Sequence, residues 1–150
     1  MKTVFDTVTR EELIQRIGRL NQNSKAQWGR MNVWQMLKHC TLWEEWIRAK
    51  ETHKQVFIGR IFGKTALNTL LKDESPMRRN SPTIPELRIN RMPELGDIEA
   101  EKEKWISQIR NHEQFSNPGF VHSFFGKMTE EQIGFMAYKH ADHHLRQFNC

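Results

Sequence analysis

Cysteine is scarce in this 150-residue chain, with Cys40 and Cys150 as its two thiols. Two such residues, one of them at the last position, make no disulfide framework, and a reduced cytoplasmic protein is expected. Long hydrophobic runs are missing as well. No stretch approaches the ~20 apolar residues that cross a bilayer, so no membrane partner is expected. The opening MKTVFDTVTREEL has no continuous apolar stretch, and no secretory leader is expected. Strand-like alternation, internal repeats and low-complexity tracts are absent too. One tyrosine stands against five tryptophans and nine phenylalanines, so the bulky core material is largely apolar. At this length a single domain with a sizeable core is expected.

The charge is unbalanced but dispersed. The formal net charge is +5 and the pI about 9.4, which raises nucleic acid as a partner. Lys and Arg alternate with Glu along most helical segments, however. The densest basic spot, Met77-Arg78-Arg79-Asn80, has no interleaved aromatics. Neither a stacking platform nor a recognition helix is evident, so no nucleic-acid partner is expected.

Helical periodicity places four substantial helices. Thr9 and Glu12 read as a capping box for the first, with Val8 and Leu13 as its hydrophobic staple. The second runs from Val33 to Lys50 behind an Asn32 cap, with Met36, Leu37, Cys40, Trp43 and Ile47 in its apolar stripe and Trp46 extending it. A third runs from Asp97 to Asn111, its acidic start suiting the helix dipole. The last follows a Thr129/Gln132 capping box, with Met128 and Ile133 as staple. Residues 55–72 read as a shorter extra helix burying Ile58, Ile61, Phe62 and Leu70, weakened by Gly59 and Gly63. A long connection with Pro76, Pro82, Pro85 and Pro93 spans 73–95. The expected fold is therefore all-α: a helical bundle whose long connection allows a crossover.

The chemistry gathers on the last helix. At about 100° per residue, Ile133, Met136, Ala137, His140, His144, Gln147 and Phe148 share an inward arc, opposite Lys139, Asp142 and Arg146. Two imidazoles at i and i+4 point the same way and need partners in the same place. Either they are hydrogen-bonded core residues, or they share a divalent metal ion, for which neutral His is a common ligand. His143 lies on the flank of the arc, as a rim residue or as the i+3 partner of His140. On the second helix His39 sits at the edge of the stripe, flanked by Met36, Trp43 and Trp46. If the two helices are neighbours, His39 completes a three-His set that leaves a coordination position open.

Three stretches, WGRMNVWQMLKHC, VHSFFGKMTEEQ and KHADHHLRQF, resemble the DinB/YfiT-like superfamily, and more narrowly a branch of it without an assigned function. The resemblance implies a DinB-like four-helix bundle with crossover connections. It implies nickel or zinc held by His39, His140 and His144, with His143 a neighbour. Branch members commonly read His-Pro where this chain has His122-Ser123. Characterised relatives include thiol S-transferases that use a low-molecular-weight thiol, and relatives often form homodimers. The expected function is a metal-dependent transferase that activates such a thiol against a small electrophilic substrate, in a pocket lined by Trp43, Trp46 and Met136. A metal-activated water would make it a hydrolase instead, and a non-catalytic small-molecule-binding or stress-related bundle is the alternative.

Overall fold

The computed structural model describes residues 1–49, 54–84, 87 and 96–150, and five α-helices lie among them. They are α1 (Thr7–Gly18), α2 (Val33–Arg48), α3 (Phe57–Leu70), α4 (Ile98–Arg110) and α5 (Glu130–Gln147). A 3-10 turn, Asn111–Gln114, follows α4. Two short antiparallel strands, β1 (Val121–His122) and β2 (Gly126–Lys127), precede α5. Among the described residues no helix is long and apolar enough to cross a membrane.

Caps fix the ends of the three central helices. Thr129 with Gln132 forms a reciprocal capping box as its spacing predicts, and the expected Asn32 cap forms one with Gln35 as well. Asp97 caps α4 by accepting from the Ala100 amide at 3.0 Å. The first helix departs from expectation. Asp6, not Thr9, is its cap, accepting from the Thr9 amide at 2.8 Å and from the Thr9 hydroxyl. That starts α1 three residues early and turns Val8 outward, so the Val8/Leu13 staple does not form. Helix α2 ends at Arg48 rather than Lys50, which lies outside the described residues. Part of the 73–95 connection, residues 85, 86 and 88–95, lies outside them too.

Helix α2 packs on α4 and α5, and α1 packs on the same two. The sequence neighbours α1–α2 and α4–α5 are not among these packed pairs. A single core runs between the four, with Leu13, Ile17, Met36, Leu37, Ile47, Trp105, Ile109, Ile133 and Leu145 essentially sealed from water. A buried polar knot joins α2 to the end of α4: Glu44 accepts from Arg48 and lies 2.8 Å from His112 Nε2. Burial raises the Glu44 carboxyl, but His112 and Arg48 outweigh it and hold it below the usual carboxylate range.

Helix α3 is inverted relative to expectation. Its 14 residues make it no shorter than α1 or α4. Its buried side is Gly59, Gly63 and Leu67, whereas Phe57 is 77 % exposed, Ile58 58 %, and Ile61 and Phe62 57 % each; Leu70 is half-buried. The two glycines let the helix lie on the backbone of the β1–β2 turn. A Cβ at either would run into the Phe124 carbonyl oxygen. That hairpin, invisible in the sequence pattern, is organised by His122, whose Nδ1 accepts from the amides of Phe124 (3.0 Å) and Phe125 (3.2 Å).

Candidate metal centre

Helix α5 is buried nearly all round, which amphipathic periodicity did not foresee. Its inward arc is sealed as expected, but Lys139 and Asp142 are buried too. Lys139 donates to the Ser75 carbonyl at 2.8 Å, and Asp142 accepts from Arg16 (2.8 Å) and Arg146 (2.7 Å). Partners arriving from α1 and the post-α3 connection cover what the helix alone would leave in water; Arg146 alone of the three stays out.

Because α2 and α5 pack together, His39, His140 and His144 converge. One ligand atom from each lies within 4.8 Å of the others. The Nε2 atoms of His39 and His140 are 3.0 Å apart. Two nitrogens on one zinc-like ion, each about 2.1 Å from it, can be separated by at most ~4.2 Å. The close pair already satisfies this bound, and the other spacings, all within 4.8 Å, are at most ~0.6 Å beyond it. The three rings are 3 %, 8 % and 6 % exposed, so their polar atoms must be satisfied within the protein or by an ion.

Hydrogen bonds determine which nitrogens face inward. A carbonyl can only accept, so His39 Nδ1 donates to the Leu87 oxygen at 3.1 Å. A neutral ring protonated there carries its lone pair on Nε2. The Gln147 amide works the same way on α5. Its Nε2 donates to the Trp28 carbonyl at 2.8 Å, which turns its Oε1 toward His144 Nδ1 at 2.9 Å. His144 therefore donates from Nδ1 and keeps its lone pair on Nε2. Gly29 makes room for this amide, since a Cβ there would sit 2.6 Å from Gln147 Nε2. Trp43 stacks on His140 with centroids 4.7 Å apart, fixing that ring's plane.

The protonation states suit metal binding. Burial pushes the His140 imidazole well below its ordinary range, and the charges of the neighbouring histidines push it further. Burial and then His39 do the same to His144, against a smaller opposing effect of Gln147. His39 is lowered chiefly by burial. His39 and His144 present inward lone pairs, His140 Nε2–H donates to His39 Nε2 until a metal displaces that proton, and the three residues together could hold a metal ion.

The other expected site residues separate into two groups. Met36, Trp43, Trp46 and Met136 are buried in the core, Trp46 lying edge-on to Phe120 and His122. His143 lies outside the cluster of candidate ligands, its ring 5.6 Å from that of Trp28. The Leu87 carbonyl and the Trp28–Gln147 link were not foreseen. A backbone acceptor has no sequence signature. Gln147 does have one: it follows His144 by three residues on the same arc.

The fold and the cluster thus define a mainly helical protein with a buried three-histidine site able to hold a metal ion. The chain belongs to the family described as protein of unknown function (DUF1569), whose model matches residues 5–150. No curated protein and no solved structure matches it.

Proposed function

We propose that this chain is a divalent-metal enzyme of the DinB/YfiT type, a four-helix bundle whose nickel or zinc is held by His39, His140 and His144. The carrying observation is the pair of pinned rings: His39 and His144 each donate Nδ1–H to a carbonyl oxygen, which aims Nε2 at the common centre. Metal-ligating histidines characteristically carry such an outer hydrogen bond, which fixes tautomer and orientation. The mutual packing of α1, α2, α4 and α5, with consecutive helices not paired, supports the crossover bundle.

A divalent ion with three imidazole ligands and an open position supplies Lewis acidity that lowers the pKa of a bound thiol or water. The chain's own part is to hold three neutral nitrogens in a dry setting. Trp43 keeps the His140 ring from rotating, and Met36 and Met136, about one turn before His39 and His140 on their helices, are buried. Transfer of a low-molecular-weight thiol to a small electrophile is the activity this reading favours, since a soft sulfur ligand suits both metals. Homodimer formation belongs to the same reading, supported by the exposed apolar side of α3; a monomer in sedimentation equilibrium would remove it.

The low exposure of all three histidines, with His39 and His140 already within hydrogen-bond distance, favours a second reading. In it the cluster is a non-catalytic structural or ligand-binding centre. Metal analysis of purified protein, with reloading by zinc or nickel, is the decisive measurement. About one ion per chain, lost in both His39→Ala and His144→Ala, is expected. A wild-type protein that neither contains nor takes up metal would overturn the metal reading. Metal without thiol consumption toward any electrophile would leave the structural one.

A further inference from the structure

A second site lies on the other side of His143, away from the three-histidine cluster. An open cleft of about 570 Å³ is bordered by Trp28, Met77, Arg79, His143, Arg146 and Asn149. Among its described lining side chains none is acidic. Its two guanidinium groups are held in place. The Arg79 guanidinium carbon lies 4.5 Å from the centroid of the Trp28 ring, a stacking that fixes its plane. Arg146 donates from Nε to Asp142 Oδ2 at 2.7 Å, while its side chain remains 52 % exposed. Asp142 is shared with Arg16, which donates to Oδ1 at 2.8 Å and also to the Cys150 main-chain oxygen. One carboxylate therefore serves two guanidinium groups, and Arg79 has no carboxylate partner among the described residues.

Planar guanidinium groups held by stacking and by an ion pair match the geometry of carboxylate and phosphate oxygens, with little side-chain freedom left to lose on binding. Apolar surface from Trp28 and Met77 lines the same opening. We propose that this cleft binds a small organic anion, a carboxylate or phosphate ester, gripped by Arg79 and Arg146 with its carbon frame against Trp28 and Met77. The site is distinct from the histidine cluster but shares a wall with it: Gln147 bonds the Trp28 carbonyl with one end of its amide and His144 with the other.

The test is a titration of the ¹⁵N-labelled full-length protein with inorganic phosphate and, separately, with succinate, at constant ionic strength. Saturable shifts of the Trp28 indole and of residues around Arg79 and Arg146 are expected for at least one probe, and the tighter probe identifies the anion class. Arg79→Gln, at an exposed position, and Arg146→Gln should each weaken binding about tenfold or more, the worth of a charge-assisted hydrogen bond. His39→Ala should leave it unchanged, so the cleft can fail while the metal reading stands, and the reverse. Absence of saturable shifts with both probes would overturn the proposal. So would unaltered binding in the double arginine variant, or binding lost only in His39→Ala, which would move the anion to the histidines.

Discussion

Replacing Gln147 by leucine tests how the candidate metal centre is built. The substitution nearly conserves volume at a position that is 3 % exposed. It removes both an acceptor and a donor: the Oε1 that receives His144 Nδ1–H and the Nε2 that serves the Trp28 carbonyl. Each buried group left without a partner costs about 1–3 kcal/mol, so the metal-free variant should lose roughly 2–6 kcal/mol of folding stability. A domain with about 5–15 kcal/mol in hand still folds. Loss of the outer hydrogen bond frees the His144 ring to rotate and change tautomer, which should weaken metal binding about 10–100-fold. Urea unfolding of chelator-treated protein gives the first quantity, and competition with a chromogenic chelator gives the second. Gln147→Glu separates them, because a carboxylate still accepts from His144 but cannot donate to Trp28. It should lose stability while keeping most of the metal affinity. If Gln147→Leu matched the wild type in both, the inward aim of His144 would not depend on this amide, and the reasoning would fail.

Two further expectations follow from the same structure. His140 and His144 titrate well below the usual imidazole range, primarily because they are buried, whereas in the unfolded chain each titrates near about 6.5. Below that pH the unfolded state binds protons that the folded state refuses, so stability is fully present above it and falls as the solution is acidified. Urea midpoints of metal-free protein between neutral and mildly acidic pH should show this; a flat or rising midpoint toward acid contradicts it. At α3, Gly63→Ala sets helix propensity, a gain of about 1 kcal/mol, against collision with the Phe124 carbonyl oxygen and a Phe125 Cα at 3.1 Å. Overpacking against backbone costs about 1–3 kcal/mol, so thermal unfolding should move to lower temperature. An unchanged or higher midpoint would mean that the helix does not rest on the hairpin.

Local chemistry was legible in the sequence where a residue's partner lies within a few positions of it. The Asn32 cap and the Thr129/Gln132 capping box show this, as does the His140–His144 spacing. His39 could join them only if α2 and α5 were neighbours, and the two helices do pack together. Legibility failed where a distant element supplied the partner. Arg16 from α1 and the Ser75 carbonyl bury Asp142 and Lys139, residues that periodicity assigns to solvent. It failed also where two local signals competed. Asp6 and Thr9 are both good cap residues, and one carboxylate takes the Thr9 amide and hydroxyl together. On α3 the glycines read as weaknesses and the large apolar residues as core. Close backbone approach to the hairpin reverses both roles.

The seating of α3 on the hairpin has a consequence for how the protein opens. Its packed partner among the elements is β2, whereas α1, α2, α4 and α5 pack on one another. Much of its apolar surface already faces water, so releasing it newly exposes chiefly Leu67. The hairpin stays anchored to the core through the Trp46–His122 contact, so α3 can lift away from it while the remaining helices hold. Amide protons of α3 should exchange with solvent long before those of α5, giving the protein two tiers of opening, the lower of which leaves the three histidines in place.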